Sequence, residues 1–190
     1  VGSEMCVRDR GDSMPQNLLV VVGAGVLPDR LMSAACHDLA RALDALLVQE
    51  GCGQPPHPLL QTLTEMSSSA SEPFTLLQIS GDAAVDESGH GSWLDAIAAW
   101  RCSVLMLAEP RSDGRFAGIV RASVALAHEL NLSLVGLAQM GGTWSPELRR
   151  TDGLPWCGCL QGPDDDPAGL VSCLRLRWQA TARAAVAGQV

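Results

Sequence analysis

Short apolar runs alternate along the chain with longer stretches in which apolar residues recur every three or four positions. The runs are continuous and bounded by Gly, Ser, Asp or Pro, which is typical of strands buried on both faces of a parallel sheet. They lie at Leu18–Val22, Phe74–Ile79, Ser103–Ala108, Leu132–Ala138 and Trp156–Leu160. The pattern therefore predicts five buried strands.

The stretches between these runs predict helices. The first helix is predicted from Leu31 to Val48 and ends at a stretch rich in Gly and Pro. The others are predicted at Leu59–Met66, Trp93–Trp100, Phe116–Leu130 and Ala168–Ala187. The segment 145–155 (SPELRRTDGLP) is predicted to be a charged connection. Strands that alternate with helices predict an α/β fold, with a mostly parallel sheet and helices on both faces.

The composition agrees with one folded domain. Of the 190 residues, 47% are hydrophobic and 18% are charged, which is enough apolar material for a full core. We assign this single α/β domain to residues 18–190. The polar segment 1–17 is predicted to be disordered, and residues 1–5 look like a remnant of cloning.

The charge balance excludes several classes of function. A net charge of -8 and a pI of about 4.8 oppose nucleic-acid binding, which needs a basic surface. All 13 basic residues are Arg, so no lysine can serve as a Schiff base, a general base or a phosphate ligand. No stretch is long and apolar enough to predict insertion into a membrane. Seven cysteines, an odd number, are expected to be the reduced thiols of a cytoplasmic protein.

Four segments between Leu76 and Leu170 follow one another in a characteristic order. They are SGDAAVDESGHGSW, SVLMLAEPRSDGR, ASVALAHELNLSLVGLAQ and RRTDGLPWCGCLQGPDDDPAGL. This order, with its Gly-Leu-Pro, strand and Asp-Pro ending, resembles the dethiobiotin-synthetase branch of the SIMIBI class of P-loop NTPases. The resemblance covers about half of the chain. It implies a three-layer sandwich of the P-loop NTPase or Rossmann kind, ATP-dependent ligase chemistry and a homodimer.

The phosphate loop of that family, G-x-x-x-x-G-K-[ST], is degraded in this chain. The matching segment is GAGVLPDR, which begins at Gly23. Pro28 replaces the second glycine and removes an amide donor, and Asp29 brings a negative charge to the expected phosphate position. Arg30 can hold a phosphate, but its planar guanidinium differs from the compact charge of lysine. Gly23, Gly25 and Arg30 remain ligand-binding candidates, and we expect nucleotide hydrolysis to be lost.

Two further resemblances are weaker. The segment VVVGAG is similar to the start of a dinucleotide-binding fold, but Pro28 stands at the last glycine of G-x-G-x-x-G. In addition, no acidic residue ends a predicted second strand. The segments DESGHGSWLDAI and LAHELNLSLVGLA resemble the formate dehydrogenase accessory sulfurtransferases. That family has a further helix and strand between these segments.

Cys157 and Cys159 form a C-x-C pair in a predicted strand, where alternate residues face the same side. Such a pair can bind a soft metal or form a disulfide. Free cysteines are also commonly buried in protein cores, and we favour this interpretation.

His90 lies in a Gly-rich loop after a predicted strand, at the sheet edge where α/β proteins bind ligands. With Asp86 or Glu87 it could act as a general base. The favoured interpretation is an exposed loop without a catalytic role.

Two further groups of residues are candidates for binding. Arg111, Asp113 and Arg115 form a charged loop that can either bind an anion or cap the next helix. Tryptophan is enriched at protein interfaces, and Trp144 and Trp178 are the tryptophans that we assign to an interface.

Together these observations favour a non-catalytic, NTPase-like α/β protein of the cytoplasm. We expect it to be a regulatory or binding subunit with a protein partner, possible homo-oligomerisation and no cofactor. The first alternative is an ATP-dependent ligase of the dethiobiotin-synthetase type, in which Arg30 replaces the lysine. The second is a redox or metal-handling protein that uses Cys157 and Cys159.

Overall fold

The computed structural model describes residues 17–67 and 73–187. In this part of the chain, six strands alternate with six helices. The strands are β1 (Leu18–Gly23), β2 (Leu46–Gly51), β3 (Thr75–Ser80), β4 (Ser103–Ala108), β5 (Ser133–Met140) and β6 (Trp156–Leu160). The helices are α1 (Asp29–Leu43), α2 (Pro56–Met66), α3 (Trp93–Ala99), α4 (Gly118–Glu129), α5 (Pro146–Asp152) and α6 (Pro167–Ala187). Of these helices, none has the length and apolar character needed to cross a bilayer. The segment predicted to be disordered lies, except for Asn17, outside the described residues.

The six strands form one parallel sheet in the order β2-β3-β1-β4-β5-β6. This confirms the predicted fold class, a parallel sheet with helices on both faces. The run Leu18–Val22 in the central strand β1 is completely buried. Leu18 and Val20 pack in the core layer that contains α2, α3 and α4. Leu19 and Val21 face the opposite layer, with α1 and α6.

The first helix is shorter than predicted, and a second strand follows it. α1 ends at Leu43, because Asp44 adopts the left-handed conformation (φ 55°) and its amide bonds to carbonyls in the last helical turn. The residues from Leu46 to Val48, which helical spacing assigned to the helix, belong to β2. Since β2 is an edge strand with half-buried or exposed side chains, it lacks the pattern of a buried strand.

The segment predicted to be a charged connection contains a helix, α5. Ser145 caps it by accepting a hydrogen bond from the amide of Leu148 at 3.4 Å. Pro146 is its first residue, and Gly153 follows its end at φ 70°. These residue types are preferred at helix starts and ends. A helix of seven residues is too short to show a hydrophobic period, which is why the pattern did not predict it.

Replacing Asp44 by glycine is expected to stabilise the protein by about 0.5–1 kcal/mol. Glycine adopts the left-handed conformation without the steric cost of a Cβ, and the change removes a negative charge from the carboxyl end of a helix. Urea unfolding measures the effect. Ala34→Gly, at an exposed position within the same helix, should instead destabilise the protein by about 1 kcal/mol. Equal losses in the two variants would contradict the assigned helix end.

Candidate functional site

The loops that follow β1, β3 and β4 meet where the chain changes from one face of the sheet to the other. α1, which follows β1, packs on one face, whereas α3 and α4, which follow β3 and β4, pack on the opposite face. In open α/β sheets, ligands bind in the crevice at such a switch point. The β1–α1 loop is therefore the first candidate site, and the sequence prediction pointed to the same loop.

This loop turns sharply against its neighbours. The amide of Ala24 donates to the carbonyl of Leu107 in β4 at 2.8 Å. A Cβ on Gly23 would collide with the carbonyl oxygen of Gly25. A Cβ on Gly25, where φ is 86°, would lie 2.9 Å from Cγ1 of Ile119. The turn itself therefore requires both glycines, independently of any ligand.

The helical end of the loop offers few hydrogen-bond donors to an anion. Pro28 has no amide hydrogen, and its carbonyl accepts from the amides of Leu31 and Met32 at 3.0 and 3.1 Å. Asp29 places an exposed carboxylate in the first turn of α1, where the helix dipole favours negative charge. Arg30 is exposed beside it. The chain's own carboxylate thus lies at the positive end of the helix.

Apolar side chains cover the same edge of the sheet. Val26 is 70% exposed and Ile119, in the first turn of α4, is 53% exposed. Val26 directly follows Gly25, the residue whose added Cβ would meet Ile119. We call Val26 and Ile119 the apolar rim. Branched aliphatic side chains give a phosphate no hydrogen bond.

The comparison with a dinucleotide-binding fold changes in one respect. We expected no acidic residue at the end of the second strand, but β2 carries Glu50, whose Oε1 accepts from the amide of Gly51 at 3.0 Å. The strand order still differs, because β3 separates β2 from β1, whereas the dinucleotide fold places its second strand beside the first. Glu50 is therefore two strands away from the glycine loop.

The loop that contains His90 is folded on its own backbone. Asp86 accepts from the amide of His90 at 3.1 Å, and the imidazole Nδ1 lies 2.9 Å from the carbonyl oxygen of Ser88. Hydrogen bonds from backbone amides, first of all that of Gly91, lower the pKa of Asp86. Asp86 thus orders the turn, and its contact is with the backbone of His90. The exposed His90 side chain remains a candidate ligand residue at the rim of the site.

Sequence reasoning missed a polar network beneath α1. The side chain of Gln49 in β2 donates to Gln78 in β3 at 2.8 Å and to Ser33 in α1 at 2.9 Å. Gln78 in turn donates to Ser80 at 2.9 Å. The only sequence signals were Gln78 within a predicted strand and Gln49 directly after the first predicted helix. Because these groups bond to one another, we assign the network to fixing α1 on the sheet.

The charged loop after β4 is a closed turn. Asp113 accepts from the amide of Arg115 at 3.0 Å and lies 4.0 Å from Nε of Arg111. A backbone bond of 2.8 Å between Arg111 and Arg115 closes it. The N-cap of α4 is Ala117, whose methyl group cannot accept a hydrogen bond, so this loop supplies no side-chain cap. Arg115 instead lines a cavity.

This cavity, of about 310 Å³, lies between the first turn of α4 and α5. Three arginines and one aspartate are the charged residues of its lining. They are Arg115, Arg121, Arg149 and Asp152. We call this space the arginine cavity. Sequence reasoning named Arg115 but missed the other two arginines, which come from α4 and from the short helix α5.

Arg149 is the buried member of the arginine cavity, with a side chain that is only 5% exposed. Its guanidinium lies over the ring of Phe116, 4.3 Å from the ring centroid. One terminal nitrogen donates to the carbonyl of Gly114, and the other lies 3.3 Å from the carboxylate of Asp152. Within the described part of the chain, Nε of Arg149 has no hydrogen-bond partner.

The two tryptophans assigned to an interface are half-buried against other aromatic rings of the chain. The ring of Trp144 lies 6.4 Å from that of Trp156, at 80° to it. The ring of Trp178 lies 4.9 Å from that of Phe74, at 67°. Both lie at the margin of a core layer. Their role in an interface stays a prediction.

Cys157 and Cys159 are buried and free, as in the core-packing interpretation. Cys157 lies beside Gly136, and Sγ of Cys159 lies 3.2 Å from the carbonyl oxygen of Asp164. Burial raises the pKa of Cys157 to about 12, and burial is the main cause that raises the pKa of Cys159. Thiolates are the reactive and metal-binding form, so both thiols are held in the inert form at neutral pH. Among the described residues, no group of three or more His, Cys, Asp or Glu side chains is placed to hold a metal ion.

Comparison with protein-family models and with curated proteins identifies no relative of this chain. No protein-family model matches the chain, and a search of the curated proteins finds no match.

Buried thiols are expected to limit the stability of the protein in alkali. Burial raises the pKa of Cys36 and of Cys102 from 9.0 to about 12. Because the folded state has the higher pKa, the stabilisation is complete below pH 9 and is lost as the pH rises from 9 to 12. The loss is at most about 1.4 kcal/mol per pH unit for each thiol. Urea unfolding at stepped pH measures it, without interference from lysine or tyrosine, which the chain lacks.

The matched variants for this measurement are Cys36→Ala and Leu39→Val, both at buried positions of α1. Cys36→Ala should reduce the loss of stability between pH 9 and pH 12. Leu39→Val removes no titrating group, so it should lower stability equally at every pH. Identical pH profiles in the two variants would show that Cys36 does not contribute.

Proposed function

We propose that this chain is a relative of the dethiobiotin-synthetase branch of the SIMIBI P-loop NTPases that has lost nucleotide hydrolysis. We infer that it acts in the cytoplasm as a protein-binding or regulatory subunit. The observation that carries the proposal is the β1–α1 loop. At the positions of the family's second glycine, lysine and hydroxyl residue, it has Pro28, Asp29 and Arg30.

The contacts of this loop support the loss of phosphate binding. A phosphate cradle needs backbone amides that are free to point at the ligand, but the amides of Ala24, Leu31 and Met32 already bond to carbonyl oxygens. A phosphate beside Asp29 would also meet like-charge repulsion, which solvent and salt reduce at this exposed position but do not reverse.

The apolar rim supports a protein partner. Val26 is 70% exposed and Ile119 is 53% exposed. Both lie at a sheet edge that would otherwise hold a polar ligand. Contiguous exposed apolar surface is typical of interaction sites. The resemblance implies a homodimer, so a second copy of the chain is the first partner to test.

The ligase alternative rests on one observation, the exposed position of Arg30 in the first turn of α1. In the sequence match Arg30 stands at the family's hydroxyl residue, directly after Asp29 at the place of the lysine, so it would replace the lysine from the neighbouring position. The thiol alternative has no comparable support, because Cys157 and Cys159 are both buried.

Titration calorimetry with Mg-ATP tests the loss of nucleotide binding. We expect no saturable heat from the parent protein at millimolar ATP, because Pro28 has no amide hydrogen, three amides of the loop and helix start already bond to carbonyls, and Asp29 carries a negative charge. Saturable heat that Arg30→Ala abolishes would contradict the proposal and favour the ligase. Arg41→Ala, an exposed arginine in the last turn of the same helix, is the control for a general effect of charge.

Sedimentation equilibrium tests the partner surface. We expect the parent protein to form a dimer that Val26→Glu dissociates, because a carboxylate would have to be buried in the contact. Leu176→Glu is the matched control, since Leu176 is also 70% exposed but lies on α6. A dimer that survives Val26→Glu would place the contact elsewhere, and a monomeric parent would exclude a second copy as the partner.

A further inference from the structure

We propose that the arginine cavity is a binding site for a small organic phosphate. The cavity is distinct from the β1–α1 loop, and the inference does not depend on the proposed function. Three guanidinium groups and one carboxylate line it, a net charge of +2. The chain as a whole carries a net charge of -8. The concentration of positive charge is thus local, and it matches a dianion.

The buried arginine provides the strongest observation. The side chain of Arg149 is 95% buried, and its Nε has no hydrogen-bond partner within the described residues. Buried polar groups are rarely left unbonded. Phosphate oxygens in the cavity would be charge-assisted acceptors for the exposed guanidinium groups of Arg115 and Arg121, and the buried charge of Arg149 in the same lining would add to their attraction. The stacking on Phe116 and the bond to the carbonyl of Gly114 hold the guanidinium in place before a ligand arrives.

The first turn of α4 lies on the same cavity. This helix has 12 residues and begins at Gly118, after Ala117, which cannot cap it. A Cβ built on Gly118 would meet no atom within 4 Å, so the helix start faces open space. The amide of Val120 bonds to the carbonyl of Ala117 at 3.1 Å, but the helix dipole and the first amides of the helix still favour an anion there. Arg121, one turn further along α4, extends the positive lining.

The shape of the cavity favours an organic phosphate over the inorganic ion. Its volume, about 310 Å³, lies at the lower end of the range for small-molecule pockets. Val120, Leu148 and Leu154 contribute apolar lining beside the arginines. A phosphomonoester with a small apolar or aromatic substituent would fit both linings. Its phosphate would lie at the arginines and its substituent at the apolar side chains.

Calorimetry on the full chain with phenyl phosphate, at about 150 mM salt to screen surface attraction, tests the inference. We expect saturable binding that is tighter than the binding of inorganic phosphate or of benzoate. Arg121→Ala and Arg115→Ala should each weaken it about tenfold or more, since each removes a charged donor. Both residues are exposed. Because Arg121 also donates to the carbonyl of Asp152 at 2.7 Å, the melting temperatures of both variants verify that the fold is kept.

Arg150→Ala is the matched control, because Arg150 is exposed on α5 beside Arg149 but does not line the cavity. It should change the affinity by less than about twofold. No saturable heat, or an equal loss in Arg150→Ala, would overturn the site. If benzoate binds as tightly as phenyl phosphate, the proposed preference for a phosphate group is wrong. If inorganic phosphate binds as tightly, the proposed preference for an organic phosphate is wrong. These outcomes do not depend on whether Mg-ATP binds at the β1–α1 loop, which the calorimetry of Arg30→Ala tests separately.

Discussion

The arrangement of the carboxyl edge depends on the complete burial of β1. Its residues Leu18–Val22 have no exposed surface, because helices cover both faces of the sheet. Burying an aliphatic side chain of this size stabilises the folded state by about 1.5–3 kcal/mol. Displacing this strand would therefore lose more free energy than a loop contact could supply. The position of Gly23 is thereby fixed. Since α1 leaves β1 on one face and α3 and α4 pack on the other, the crevice at Gly23 follows from the core.

What the crevice can bind is decided by a few loop residues. At the start of α1, the carbonyl of Pro28 bonds to two helix amides that an anion could otherwise use. The carboxylate of Asp29 lies at the positive end of the helix dipole and repels an anion. At the start of α4, Gly118 faces open space and three arginines line the adjoining cavity. Both places present the amino end of a helix, with the same backbone dipole. The difference therefore comes from side chains and hydrogen bonding, which can change without disturbing the sheet.

The sequence predicted those parts of the fold that depend on local burial. The predicted bounds of β4 and β6 coincide with the observed ones, because both strands are continuous buried runs. The predictions failed at β2, because the left-handed Asp44 ends a helix whose apolar spacing continues beyond it, and because an edge strand has no buried pattern. Of the candidate sites, the β1–α1 loop was predicted because strand ends determine it. The arginine cavity was not, because α4 and the unpredicted α5 form it only in the folded state.

The position of Arg149 suits an arginine and not a lysine. An ammonium group is strongly hydrated, whereas a guanidinium can stack on a ring and direct its donors within a plane. Arg149 uses one face against Phe116 and two of its nitrogens toward Gly114 and Asp152. Asp152 is itself held by the indole of Trp156 at 2.9 Å, so the charge opposite Arg149 is fixed through the first residue of β6. A ligand would thus meet donors ordered during folding, and preorganisation lowers the entropic cost of binding.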